Sequence, residues 1–138
     1  MNQVEIGKVG EHICCVRLLK LGFAAEIVHM KTTDVVVDLR NKVLRIQVKA
    51  CDIRYRAERN MRPYYQFSVA FTGKKKPLDK SHCDIMAFVS VPKEKVYFMP
   101  IESLNGRKTR KIKMTTYDDP DLESKTWIEC LKHLGEIK

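Results

Sequence analysis

The sequence has no run of apolar residues near the roughly 18 needed to cross a bilayer. Its first stretch is interrupted by Glu5, Lys8, Glu11 and Arg17, so no secretory signal is expected either. These absences lead to the expectation of a soluble, intracellular and cytoplasmic chain that does not engage membranes. Cysteine is sparse and odd in number: Cys14, Cys15, Cys51, Cys83 and Cys130, with no C-x-x-C pair. Neither a disulfide frame nor a zinc site is suggested, and the thiols suit small buried positions. The four histidines, His12, His29, His82 and His133, have no ligand spacing. Repeats, low-complexity stretches and linkers are absent too, so residues 1–138 are expected to form one domain, long enough to bury a core.

Acidic residues are the scarcer charge. Lys and Arg number 26 against 17 Asp and Glu, a formal net charge of +9 that favours polyanions, nucleic acid first. The excess is clustered. Arg54, Arg56, Arg59 and Arg62 lie among or just before Tyr55, Tyr64 and Tyr65, while Lys74, Lys75 and Lys76 follow Gly73. Arg107, Lys108, Arg110, Lys111 and Lys113 make a third group. Any one run fits a solvated loop as well as a phosphate contact. Three together tilt the reading toward nucleic acid.

Residues from about Ile6 to Leu21 read as a helix stopped by Gly22. The runs 34–39 and 43–50 alternate around Arg40-Asn41 as a hairpin would, and 64–71 looks like a third strand. A second hairpin is expected from 83–91 and 95–101, turning at Pro92-Lys93-Glu94. Asp119-Pro120 offers a helix start, with Leu122, Trp127, Leu131 and Leu134 as the apolar side and Gly135 as the stop. Asp118, Asp119 and Asp121 suit the dipole of that helix start. The expected fold is α/β, built around one central mixed β-sheet flanked by helices.

The first hairpin can be worked out in register. Val35 and Val37 must share a buried face with Leu44, Ile46 and Val48. A tight turn at Arg40-Asn41 then pairs Val37 with Leu44 and Val35 with Ile46. The same register sets Asp34 opposite Gln47 on the other face, with β-carbons roughly 4.5–5.5 Å apart. Lys49 projects from that face as well. A slip of one residue would bury Asp34 and Gln47 instead. Asp38 shares this face near the turn, diagonal to Arg45, where a local ion pair is expected.

An acid, an amide oxygen and an amine at one end of a hairpin suit phosphodiester hydrolysis. Magnesium prefers oxygen ligands. Asp34 offers a charged one, the Gln47 side chain a neutral one, and a backbone carbonyl near Val48 a third. Lys49 would orient a water or counter developing charge. On the helix, Glu11 lies opposite Lys20 and is flanked by Cys15 and Leu18, an apolar side where a carboxylate needs a partner. A metal or Lys49 would supply one. On geometry alone, a rim position for Glu11 and a surface ion pair between Asp34 and Lys49 fit the same residues.

The string GKVGEHICCVRLLKLGF followed by TTDVVVDLRNKVLRIQVKA, over residues 7–50, resembles the core of the PD-(D/E)XK nucleases. Those proteins carry a helix acid, an aspartate on a strand and a D/E-x-K triplet on the next strand. On that pattern Glu11 would be the helix acid, Asp34 the metal aspartate, and Gln47 and Lys49 the ends of the triplet. The likeness is looser through CDIMAFVSVPKEKVYFMPI and fades beyond it. Gln47 departs from the usual acid, but the QVK form is similar to homing endonucleases encoded in cyanobacterial group I introns. The resemblance implies a restriction-endonuclease-like domain cutting double-stranded DNA with Mg2+, for which Mn2+ substitutes, as a homodimer or homotetramer. The alternatives are a structure-specific nuclease such as a Holliday junction resolvase, or a DNA-binding relative without catalysis.

Overall fold

The computed structural model describes residues 1–52, 63–70 and 78–138. Helix α1, Gln3–Lys20, starts earlier than its apolar pattern suggests because Asn2 and Glu5 close a capping box. The Glu5 N–H donates to Asn2 Oδ1 at 2.9 Å, and the Asn2 N–H donates to Glu5 Oε1 at 3.1 Å. The helix stops where expected. Gly22 takes φ 96°, which lets its own N–H reach the Leu19 carbonyl and the Phe23 N–H reach that of Leu18.

Five strands form the main sheet: β1 (Ala24–Ile27), β2 (Val35–Asp38), β3 (Val43–Cys51), β5 (Ile85–Ser90) and β6 (Lys95–Pro100). Their order is β1-β2-β3-β5-β6, with β3 and β5 parallel and the other neighbours antiparallel. The expected central mixed sheet is therefore present. Both expected hairpins form, the second turning through Glu94 at φ 53°.

The expectation that the 64–71 run joins this sheet needs correcting. Its strand, β4 (Tyr64–Ser68), pairs instead with β7 (Thr109–Lys113) in a separate two-stranded ribbon. Tyr65, Phe67 and Ile112 on the ribbon's inner side are buried, and burying that side is what draws β7 out of a basic run.

Every side chain of β5 is buried because the sheet is covered on both faces. Ile85, Ala87 and Val89 join the cluster made with α1 and with α2 (Leu122–His133). Met86 and Phe88 point into the cluster capped by the ribbon. Trp127 anchors the helical side, edge-on to Phe23 and Phe98 at 5.4 and 5.0 Å between ring centroids. Helix α2 buries Leu122, Trp127 and Leu131 as expected, and Glu123 with them. Glu123 accepts from the Arg17 side chain at 2.8 Å and from the Val96 N–H at 3.1 Å, tying α1, α2 and β6 together.

Candidate active site

The β2–β3 hairpin closes with the Leu39 N–H on the Lys42 carbonyl at 2.9 Å and Arg40 at φ 76°. Val35 pairs with Ile46 and Val37 with Leu44, all four fully buried, which is the register that burial of the apolar side chains demanded. Continued by one residue, it sets Asp34 opposite Gln47.

Asp34 sits where the ladder ends. Its N–H donates to the Ile46 carbonyl, and its own carbonyl accepts from the Val28 N–H, both at 2.9 Å. Its carboxylate then takes over the next strand donor: Oδ2 accepts from the Val48 N–H at 2.8 Å. One oxygen is thereby fixed, and Oδ1 accepts no hydrogen bond among the described residues. Burial pushes the Asp34 carboxyl above its ordinary value, and the Val48 N–H and the Lys49 charge only partly oppose this.

Gln47 is half-buried, and its Oε1 is buried without a hydrogen-bond partner among the described residues. An orphaned buried acceptor costs about 1–3 kcal/mol. Lys49, also half-buried, has its ammonium pushed below its ordinary pKa by burial, with Asp34 pulling the other way. Val48 between them is buried.

Glu11 reaches this group because of the residue before it. Gly10 lies on the buried edge of α1 with Ile6, Cys14 and Leu18, directly against Ala50 and Val48 of β3. A glycine inside a helix costs about 1 kcal/mol relative to alanine, so close packing is its reason here. Burial raises the Glu11 pKa, and the charge of Asp34 raises it further, while His29, His12 and Lys8 lower it. The two carboxylates therefore feel each other across the gap between helix and hairpin.

Asp34 is thus set opposite Gln47 and lies within electrostatic reach of both Lys49 and Glu11. Among the described residues no three or more His, Cys, Asp or Glu side chains gather as a metal cluster. The donor set instead comprises two carboxylates and the unpartnered Gln47 oxygen. All are hard oxygen donors, and burial raises both carboxyl pKa values despite the nearby positive charges, so these residues fit a divalent cation.

Other expectations fare differently. Asp38 is exposed and accepts from the Arg40 N–H at 2.8 Å. It does not pair with Arg45, whose guanidinium meets Asp84 at 3.3 Å and also holds the Lys80 and Ser81 carbonyls. Arg45 turns across the sheet because Asp84 stands at the start of the parallel neighbour β5. Arg54, Arg56, Arg59, Arg62, Lys74, Lys75 and Lys76 lie outside the described residues. Arg107 and Lys108 are exposed ahead of β7. Arg110 is half-buried with its guanidinium over the Tyr97 ring, 6.0 Å from the centroid. A cleft of 330 Å³ runs from Lys49, Ala50 and Asp52 at the end of β3 to Gln66 and Ser68 of β4 and Thr109 of β7. The strand signal of β7, hidden under its lysines, was the missing clue to this cleft.

No family model matches the chain, and no curated protein matches it. Among solved structures, a bacterial homing endonuclease, I-Ssp6803I, superposes with a TM-score of 0.69 over 99% of this chain and 97% of that one, at 15% identity. This chain shares the fold of that protein. A Holliday junction resolvase, Hjc from Archaeoglobus fulgidus, gives a looser likeness, with a TM-score of 0.47 and 22% identity over 81% of this chain and 87% of that one. Among the described residues no helix is long and apolar enough to cross a membrane.

Proposed function

We propose that this chain is a magnesium-dependent DNA endonuclease of the homing kind, hydrolysing phosphodiester bonds within a recognised sequence of double-stranded DNA. The observation that carries the proposal is the Gln47 Oε1 atom, buried without a hydrogen-bond partner among the described residues, on the strand beside Asp34. The end-to-end likeness in fold to a bacterial homing endonuclease supports it.

Asp34, Gln47 and Glu11, with the Val48 carbonyl, would hold magnesium, for which manganese would substitute. When bound, the ion supplies Lewis acidity at the phosphate and eases proton loss from the attacking water. The chain's own residues do the rest. The Val48 N–H fixes Asp34 Oδ2 and leaves Oδ1 as the oxygen available to a metal. Lys49, poorly hydrated in its half-buried position, offers its ammonium to a phosphate oxygen or to the attacking water. Glu11 closes the helix side and balances cationic charge. Cutting both strands takes two such centres, which a homodimer or homotetramer supplies.

The test is incubation with supercoiled plasmid and with synthetic four-way junctions, in magnesium or EDTA, beside Asp34→Ala. Discrete magnesium-dependent cuts in duplex DNA that vanish in the variant are expected. Cutting of junctions alone would replace the homing reading with a structure-specific nuclease. Salt-dependent binding without any nicking would leave a DNA-binding protein.

A further inference from the structure

The ribbon of β4 and β7 divides cleanly into two sides. Inward lie Tyr65, Phe67 and Ile112, buried over the second core cluster, with Arg110 beside them. Outward lie three cross-strand pairs: Tyr64 with Lys113, Gln66 with Lys111 and Ser68 with Thr109. The ten ribbon residues include no acid. The outer side carries an amide, three hydroxyls and two lysines, with the Lys111 ammonium 5.2 Å from the centre of the Tyr64 ring. A structural ribbon would have no need of such an outer side.

Its dimensions and its position both suit a nucleic-acid groove. Five residues extend about 17 Å, the rise of about five base pairs, and two strands lie about 5 Å apart. The major groove of B-DNA is about 12 Å wide and admits a two-stranded ribbon. Glutamine matches the N6/N7 edge of adenine, and serine or threonine bonds to any base. Gln66, Ser68 and Thr109 line the same cleft as Lys49, so the outer side of the ribbon continues to the Lys49 end of the candidate active site. Asp52, the acid in that lining, is of the type that accepts from the cytosine amine.

Building on the endonuclease reading, we infer that the β4–β7 ribbon enters the major groove beside the cut and reads bases through Gln66, Ser68 and Thr109. Lys111 and Lys113 contact the flanking phosphates.

The test separates reading from cutting. The wild-type chain in EDTA is mixed with a random duplex library, and the retained DNA is sequenced. The same is done for Gln66→Ala/Ser68→Ala/Thr109→Ala, with thermal unfolding as the check on folding. The wild type should enrich a motif, and the triple variant should lose preference at about two or three of its positions, by roughly 5- to 100-fold each. Lys111→Ala and Lys113→Ala should weaken every duplex alike and each lower the salt slope by about one. An unaltered motif in a folded triple variant would overturn the inference, as would a wild type that enriches nothing. So would equal competition by duplex RNA, whose deep, narrow major groove excludes a ribbon. Cutting of the enriched duplex in magnesium is scored separately. A motif lost in the triple variant, with no cutting by the wild type, would sink the nuclease reading and leave this one standing.

Discussion

A methyl group added at Gly10 would have to share space with Ala50. The new Cβ would lie 2.5 Å from the Ala50 Cβ, but only at ordinary contact with Val48 Cγ1 and Ala50 Cα, at 3.6 and 3.7 Å. Carbon atoms settle about 3.5–4.0 Å apart, so α1 and β3 must separate by about 1 Å. Overpacking of that kind costs about 1–3 kcal/mol. Alanine regains about 1 kcal/mol of helix propensity, leaving a net loss of roughly 0–2 kcal/mol for Gly10→Ala. Ala50→Gly alone should cost on the order of 1 kcal/mol in the strand. Combined, the two changes remove the clash, and the double variant should be about 1–3 kcal/mol more stable than the sum of the singles predicts. Urea unfolding followed by the fluorescence of the buried Trp127 reads this as shifts in midpoint at constant slope. Activity gives a second readout, because Glu11 rides on the same turn of helix. A displacement of 1 Å costs on the order of 100-fold in rate, so Gly10→Ala should cut far more slowly and Ala50→Gly should restore part of the loss. Additive stabilities within about 0.5 kcal/mol would refute the close-approach argument. A Gly10→Ala variant stabilised by the full propensity gain would refute it as well.

Asp34 has a raised folded-state pKa, so its contribution to stability is present below its unfolded value and is lost as pH rises through the folded one. Asp34→Asn should therefore unfold at higher temperature than wild type at neutral pH, with the advantage fading in acid, as thermal melts across pH would record. Gln47→Leu removes an unpartnered buried oxygen; it should leave stability level or raise it by about 1 kcal/mol while abolishing cleavage, whereas Gln47→Glu should retain cutting. Arg17→Ala strands the buried Glu123 with the Val96 N–H as its remaining donor and should cost about 3–5 kcal/mol in urea unfolding.

How far the molecule could be read beforehand depended on whether the signal was local. The β2–β3 register was legible because the alternation of Val35, Val37, Leu44 and Ile46 admits only one pairing that buries them all. Placement of Asp34 opposite Gln47 followed from it. Strand β1 was not legible, since Ala24–Ile27 buries only Ala25 fully and shows no apolar alternation. Strand β7 was masked because two of its outer residues are lysines and its inner Arg110 breaks the apolar side. The partner of Arg45 was out of reach for another reason: Asp84 is 39 residues away and arrives only through parallel pairing of β3 with β5. The ladder-ending bond from the Val48 N–H to the Asp34 carboxylate is likewise set by where the strands part.

The candidate site also stands apart energetically from the rest of the molecule. Glu123, buried more deeply than Asp34, is met by Arg17 and by a backbone N–H. The buried hydroxyls of Tyr65 and Tyr117 bond to Ser90 and to the Phe88 carbonyl. The fold thus provides partners for these groups, although Trp127 Nε1 and Arg110 Nε are also buried without a hydrogen-bond partner among the described residues. At the end of the β2–β3 hairpin it leaves several needs unmet at once: two carboxyls with raised pKa, an amine with a lowered one and an orphaned amide oxygen. Packing alone gives no reason for such costs to coincide at one spot. A divalent cation among Glu11, Asp34 and Gln47, with a phosphate against Lys49, would relieve all of them together.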